Sequence, residues 1–159
     1  MKKMAWEIIL LAAFVVVLAY IIIYNAKVIL SPVTPQSPAN SICIGKNCFM
    51  VELAKNEAEK EQGLMAREHL DEDKGMLFFF AKDGIYPFWM KYTLIPLDMV
   101  WIDADGKVVF IKENAQPCKG LICPQIVPSQ KARYVLEINA GLCKKLGIKV
   151  GDQAKLKLY

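Results

Sequence analysis

The sequence predicts a mainly β domain, a compact β-sandwich or partly open barrel with two short helices, preceded by one transmembrane helix. Three observations predict it. The apolar excess of the chain is gathered near its start, where Ile8 to Ala26 carries no charged side chain. A proline-rich stretch follows. From Ile42 onward, short apolar or alternating runs are bounded by Gly, Asn and Asp, residues that turn a chain between strands.

A length of 159 residues allows one domain with a core of its own beside an anchor, and not two. The run Ile8 to Ala26 is mostly Ile, Leu, Val and Ala. As a helix rising about 1.5 Å per residue, a run of that length crosses the roughly 30 Å of a bilayer's hydrocarbon. Lys2 and Lys3 also suit the start of a cleaved signal peptide, but cleavage wants a small-x-small site after a shorter apolar core. Val17-Leu18-Ala19 would leave Tyr20 to Ile23 at the mature end, and Tyr24-Asn25-Ala26 sets a bulky ring where a small residue is preferred. A retained anchor is expected, with the lipid bilayer as its partner. Lys2, Lys3 and the terminal amine, opposed by Glu7, outweigh Lys27 at the far end, which keeps the N-terminus in the cytoplasm. Residues 1–27 are thus read as the anchor with its flanks. Residues 28–41 are a linker, uncharged and proline-rich from Ser31 to Ser41, and residues 42–159 are a domain outside the cytoplasm, held at the cytoplasmic membrane.

Within the domain, Phe49, Val51 and Leu53 alternate with Met50 and Glu52, the pattern of a strand with one buried face. Asn56 and Glu59 have the spacing of a capping box that opens a short helix ending near Gly63. Gly75 to Phe80 is a continuous apolar run, expected where both faces of a strand are covered. Tyr86 to Met90 and Leu97 to Ile102 read as further strands, and Asp105-Gly106 turns the second into Lys107 to Lys112. Arg133 to Ile138 is another strand. Asn139 is expected to cap a helix through Leu146 that Gly147 ends, before a last strand from Gln153 to Leu158. About seven strands with so little helix between them exclude a doubly wound α/β sheet.

The net charge of +4 derives partly from the anchor flanks, and the other Lys and acidic residues are interspersed along the domain. Without a basic stripe interleaved with aromatics, nucleic acid is not an expected partner.

Several segments together carry a resemblance. They include Glu61-Gln62-Gly63-Leu64-Met65, Gly75-Met76-Leu77-Phe78, Phe88-Trp89-Met90-Lys91, Thr93-Leu94-Ile95-Pro96-Leu97-Asp98-Met99 and Ile102-Asp103. Glu113-Asn114-Ala115, Val135-Leu136-Glu137, Asn139-Ala140-Gly141 and Leu146 to Asp152 continue it. The domain resembles the domain-of-unknown-function family numbered 192 over nearly its whole length after the linker. That resemblance implies a compact, jelly-roll-like β fold, often placed behind a signal peptide or an anchor in prokaryotes, and no established activity. Tyr92 departs from the pattern, which commonly has Asn there.

Five cysteines fall as Cys43-x4-Cys48, Cys118-x4-Cys123 and a lone Cys143. A Gly-containing loop between Cys43 and Cys48 would set both sulfurs across a hairpin mouth, within disulfide reach. A bond from Cys118 to Cys123 would staple a proline-rich loop that has little else to hold its shape. Outside the cytoplasm, oxidation is the expected fate of both pairs. A structural zinc site with those four thiolates is the alternative, and it requires the two loops to meet in a reducing compartment. Cys143 reads as a small buried hydrophobe.

His69, the sole histidine, is expected in a solvated loop, and Met65, Met76, Met90 and Met99 as core filling rather than copper ligands. No cofactor or metal is expected. If Phe88 to Asp98 formed a half-buried strand, Trp89, Lys91 and Thr93 would share one face, with Arg67, Asp98 and Glu113 adding polar groups nearby. Those six are the candidate site for a small polar molecule or a glycan. Their structural counterpart is a network in which Lys91 and Arg67 pair with Asp98 or Glu113 while Trp89 plugs the core. Asp103 and Asp105 belong to a hairpin turn, where Asp is favoured for backbone reasons. A binding or accessory domain is therefore the expected function. The alternatives are an enzyme with a carboxylate–lysine site near Trp89, and a purely structural or protein-interaction module.

Overall fold

The computed structural model describes residues 13–24 and 39–159. The chain divides into two units, Met1–Ser37 and Pro38–Tyr159. In the first, residues 13–24 are helical (α1). Among the described residues no helix is long and apolar enough to cross a membrane. The span expected at Ile8 to Ala26 runs past the described residues at both ends, and its flanking charges Lys2, Lys3, Glu7 and Lys27 lie outside them, as does most of the linker.

The second unit is one sheet of seven strands with two short helices. Its elements run β1 (Ser41–Ile44), β2 (Asn47–Ala54), α2 (Glu57–Gln62), β3 (Lys74–Gly84), β4 (Leu97–Ile102), β5 (Val108–Ala115), β6 (Ala132–Asn139), α3 (Leu142–Leu146) and β7 (Ala154–Lys157). Across the sheet the order is β5-β4-β6-β3-β2-β1-β7. Neighbours are antiparallel except β2 and β3, which run parallel because α2 carries the chain between them. The two edge strands approach each other: Val108 donates its N–H to the Asp152 carbonyl at 2.9 Å, and Ala154 donates to the Gly106 carbonyl at 2.7 Å. Of the two expected forms, the partly open barrel is the one found, a single curled sheet instead of two stacked ones.

Alternation along the strands sorts the core into two layers. One contains residues of all seven strands and of α3, among them Ile42, Phe49, Leu77, Val100, Ile102, Val108, Leu136, Ile138 and Ala154. It fills the inside of the curl. The other gathers Met76, Phe78, Met99, Trp101 and Val135 beneath residues of the connecting segments, such as Leu64, Leu70 and Met90. Both faces of β3 and β4 are covered in consequence, which explains the unbroken apolar run from Gly75 and a β4 in which every residue is buried. Hairpin β4–β5 turns at Asp105-Gly106 as expected, and Asp103 accepts hydrogen bonds from the N–H groups of Asp105 (3.0 Å) and Lys107 (2.8 Å).

Two expected elements differ. Tyr86 to Met90 is not a strand; Pro87 breaks its ladder, and the segment is pinned by an isolated bridge from Phe88 to Ile126. Asn139 does not cap a helix. It ends β6, where its amide donates to the carbonyls of Leu70 (2.7 Å) and Asp71 (3.3 Å) and ties down the covering loop. Gly141, in the left-handed region at φ 83°, starts α3 without any side-chain cap, and Gly147 at φ 71° ends it.

Both cysteine pairs close within their own loops. Cys43 and Cys48 face each other across the β1–β2 hairpin, and Cys118 bonds to Cys123, at sulfur separations of 2.08 and 2.07 Å. The expected disulfides are therefore formed. Cys143 is buried, and burial raises its thiol pKa far above the ordinary range.

Candidate functional site

A cleft of ≈ 360 Å³ opens on the second core layer, between α2 and the segment from Tyr86 to Thr93. The capping box sets one wall. Asn56 Oδ1 accepts from the Glu59 N–H at 2.8 Å, and a Glu59 carboxylate oxygen accepts from the Asn56 N–H at 3.1 Å, which fixes where α2 begins. From α2, Lys60, Glu61 and Gln62 then reach the mouth of the cleft. Aromatic rings form the rest: Phe78 and Phe80 on β3, then Tyr86, Phe88 and Trp89. These rings brace one another, Phe88 edge-on to Phe78 with centroids 4.8 Å apart and Phe80 stacked on Tyr86 at 3.6 Å. Lys60 gives its ammonium to Glu57 at 2.9 Å and holds it 4.9 Å from the centre of the Phe80 ring.

Glu137 lies at the floor. Its place on β6, opposite Met76 of β3 and Met99 of β4, turns its side chain to the same face as those two thioethers. Only 4% of the residue is exposed. Among the described residues no hydrogen bond or ion pair engages its carboxyl, which lines the cleft. Burial raises its pKa from 4.5 to about 8, so at neutral pH the carboxyl is protonated. The Thr93 hydroxyl, also buried and likewise without a side-chain partner, lines the same space.

The structure brings together only part of the expected site. Trp89 and Thr93 line the cleft. Lys91 does not join them on one face, because the segment is not a strand and Tyr92 takes a left-handed backbone at φ 56°. Lys91 instead lines an adjoining depression with Trp89 and Tyr92, its ammonium 5.3 and 5.2 Å from their ring centres. Asn tolerates that backbone far better than Tyr, which accounts for the Asn common at this position in the family pattern; nothing in the structure explains the Tyr.

The other three residues lie elsewhere. Arg67 makes a two-pronged ion pair with Glu52, holding that carboxyl below its ordinary range. Asp98 is fully buried and accepts the N–H groups of Asn114 and Cys143, each at 2.8 Å, so its carboxylate organises backbone. Glu113 is exposed on β5. The expected pairing of Lys91 and Arg67 with Asp98 or Glu113 is replaced by these partners. Trp89 is 40% exposed and does not plug the core; Trp101 does. His69 is exposed, as expected, and its ring bonds Asp71 at 2.9 Å.

Sequence reasoning passed over Glu137 as a functional group. The available signal was a single charge within Tyr-Val-Leu-Glu-Ile, at the position that alternation assigns to the buried side with Val135.

Among the crystal structures similar to this chain are the following two. One is a candidate transcription regulator from Sinorhizobium meliloti 1021, 37% identical, with a TM-score of 0.66, the match covering 74% of this chain and 91% of that one. The other is a protein of unknown function from Novosphingobium aromaticivorans DSM 12444, 35% identical, with a TM-score of 0.67, covering 77% and 90%. No curated protein matches. Residues 41–156, from the first strand to the last, match the family described as uncharacterized ACR. The chain belongs to that family, domain-of-unknown-function family 192.

Proposed function

We propose that this protein is a membrane-anchored, extracytoplasmic binding or accessory domain that takes a small polar molecule, or part of a glycan, into the cleft between α2 and Trp89. The observation that carries the reading is Glu137, a residue only 4% exposed whose carboxyl has no partner among the described residues and opens into an aromatic-walled cleft. Burying such a group unpaired costs stability, and a ligand that pairs with it recovers that cost. The Thr93 hydroxyl adds a second polar contact and Trp89 a flat apolar one. Catalysis has less support, because the lysine in the cleft, Lys60, is already paired with Glu57. Regulation of transcription, the role suggested by the name of the Sinorhizobium protein, has less support, because the domain's basic residues are interspersed with acidic ones along the sequence and form no stripe.

Placement outside the cytoplasm rests on the apolar run Ile8 to Ala26, its flanking charges and two disulfides, a bond type that persists in oxidising compartments. A reporter active only outside the cytoplasm, fused after Tyr159, is expected to work; activity from a cytoplasmic reporter alone overturns the topology. For binding, a thermal-shift screen of the full-length chain against small polar molecules and oligosaccharides should give hits that Trp89→Ala abolishes. A panel that shifts neither protein leaves a structural or protein-interaction role.

A further inference from the structure

We infer that the ligand of this cleft is a small organic amine in its protonated form, an ammonium group on an apolar body, with Glu137 and Thr93 receiving the ammonium. The inference deepens the binding reading above and rests on it.

The polar groups of the cleft are divided between its floor and the α2 side, where Glu57, Lys60, Glu61 and Gln62 stand. At the floor stand the Glu137 carboxyl and the Thr93 hydroxyl, both without side-chain partners among the described residues. The walls between are Leu64, Phe78, Phe80, Tyr86 and Phe88. A sugar presents a hydroxyl on nearly every carbon, and each one buried against such walls would lose its water without gaining a partner. An alkylammonium concentrates its hydrogen-bond demand in one head, which a carboxylate and a hydroxyl can meet, while ring faces attract the charge and cover the apolar remainder.

The charges facing the cleft favour the same ligand. Glu57, Lys60 and Glu61 come from α2, Glu137 from β6, and β3 and β4 contribute thioethers beside it. Lys60 and Glu57 neutralise each other, which leaves Glu61 and Glu137 as the acidic groups. An anionic ligand would meet both. The way Lys60 rests over Phe80 shows that these rings already accept an ammonium of the protein's own.

Binding a cation next to Glu137 favours its ionised form, so the carboxyl should give up its proton to solvent as the amine enters. Ionisation of the free cleft proceeds as pH rises toward about 8, and amine affinity should rise over the same interval. A neutral ligand that accepts a hydrogen bond from the protonated carboxyl behaves oppositely and weakens above that pH.

The test uses the full-length chain with phenethylamine and its neutral isostere 2-phenylethanol, in titration calorimetry at pH 6, 7 and 8.5. Each pH is run in two buffers of different ionisation enthalpy, which reports proton release. Expected is at least tenfold tighter binding of the amine, with most of one proton released at pH 7 and affinity rising with pH. Glu137→Gln, nearly isosteric and neutral, should erase both the preference and the proton release, and Thr93→Val should weaken the amine severalfold. Equal binding of amine and alcohol, or amine binding that Glu137→Gln leaves intact, overturns the inference. A polyol or oligosaccharide that binds through Glu137 while the amine does not overturns it too, but leaves the binding reading standing. Failure of every probe, polar and apolar, overturns both.

Discussion

Two acidic side chains, both buried on the sheet, are treated in opposite ways by their surroundings. Asp98 is given two backbone N–H donors, and Glu137 is given none among the described residues. Removing the first should therefore be costly. Asp98→Ala leaves the Asn114 and Cys143 amides without their acceptor, and chemical denaturation should show a loss of about 2 to 4 kcal/mol. Replacing the second by a neutral amide should help once pH exceeds the ordinary carboxyl range. The folded-state pKa of Glu137, about 8, lies above its ordinary 4.5, so between those values the folded chain holds a proton that the unfolded chain has lost. By linkage, the group's contribution to stability falls as pH rises from about 4.5 and levels off above about 8. Glu137→Gln should match the wild type in melting temperature near pH 4 and exceed it by several degrees at pH 9. A constant difference across that range would show that Glu137 does not titrate as its burial requires.

Helix α2 is short and has no buried residue, so its position depends on its cap more than on packing. Asn56→Ala should cost about 1 kcal/mol, and because α2 carries Lys60, Glu61 and Gln62 it should also weaken any ligand of the cleft; thermal melts with and without ligand separate the two effects. That capping box was legible in the sequence, as were β2, β4, the Asp105-Gly106 turn and the Gly147 stop, because each is dictated within a few neighbouring residues. The segment from Tyr86 to Thr93 was not. Its residues have strand-like composition, yet their backbone is set by distant partners: Phe88 by Ile126, Lys91 by Cys118 and Thr93 by Met65. A site read from a strand in this segment includes Lys91 and leaves out the groups that reach the cleft from α2, β3 and β6. Asn139 misled for a related reason, since an Asn before a helical run and an Asn closing a strand look alike until Leu70 and Asp71 are in place to receive its amide. The cysteine loops were legible because each pair is local. Mass measured without reductant should be about four hydrogens below the reduced mass, with one thiol, Cys143, alkylated after unfolding. Each ring is small, so reduction should cost only about 2 kcal/mol per bond and should loosen the Cys118–Cys123 loop before the sheet.

At the scale of the whole molecule, the sheet depends on how its two edges meet. Curling brings β5 and β7 together, but they do not form a full ladder; the seam rests on a few bonds around Gly106, Val108, Asp152 and Ala154 and on one bridge from Lys107 to Gln153. Because the inner core layer draws residues from every strand, opening this seam would expose the whole layer and not a single edge. Gly106 is the least replaceable residue along it. It holds a left-handed backbone at φ +82°, and a Cβ there would stand 2.6 Å from the Ala154 carbonyl oxygen, a backbone atom that cannot rotate away. Gly106→Ala should therefore destabilise the domain by about 2 kcal/mol or more, the sum of positive-φ strain and a displaced seam. Gly45 provides the matched control, with a positive φ of +60° but no atom within 4 Å of the added methyl, so Gly45→Ala carries the backbone strain alone. The difference between the two variants in denaturant unfolding isolates the seam, and hydrogen exchange should locate it, with amides of Val108 and Ala154 losing protection in Gly106→Ala only. Equal losses of stability in the two variants, with those amides still protected, would mean that the curl is held by its core layer and not by its edges.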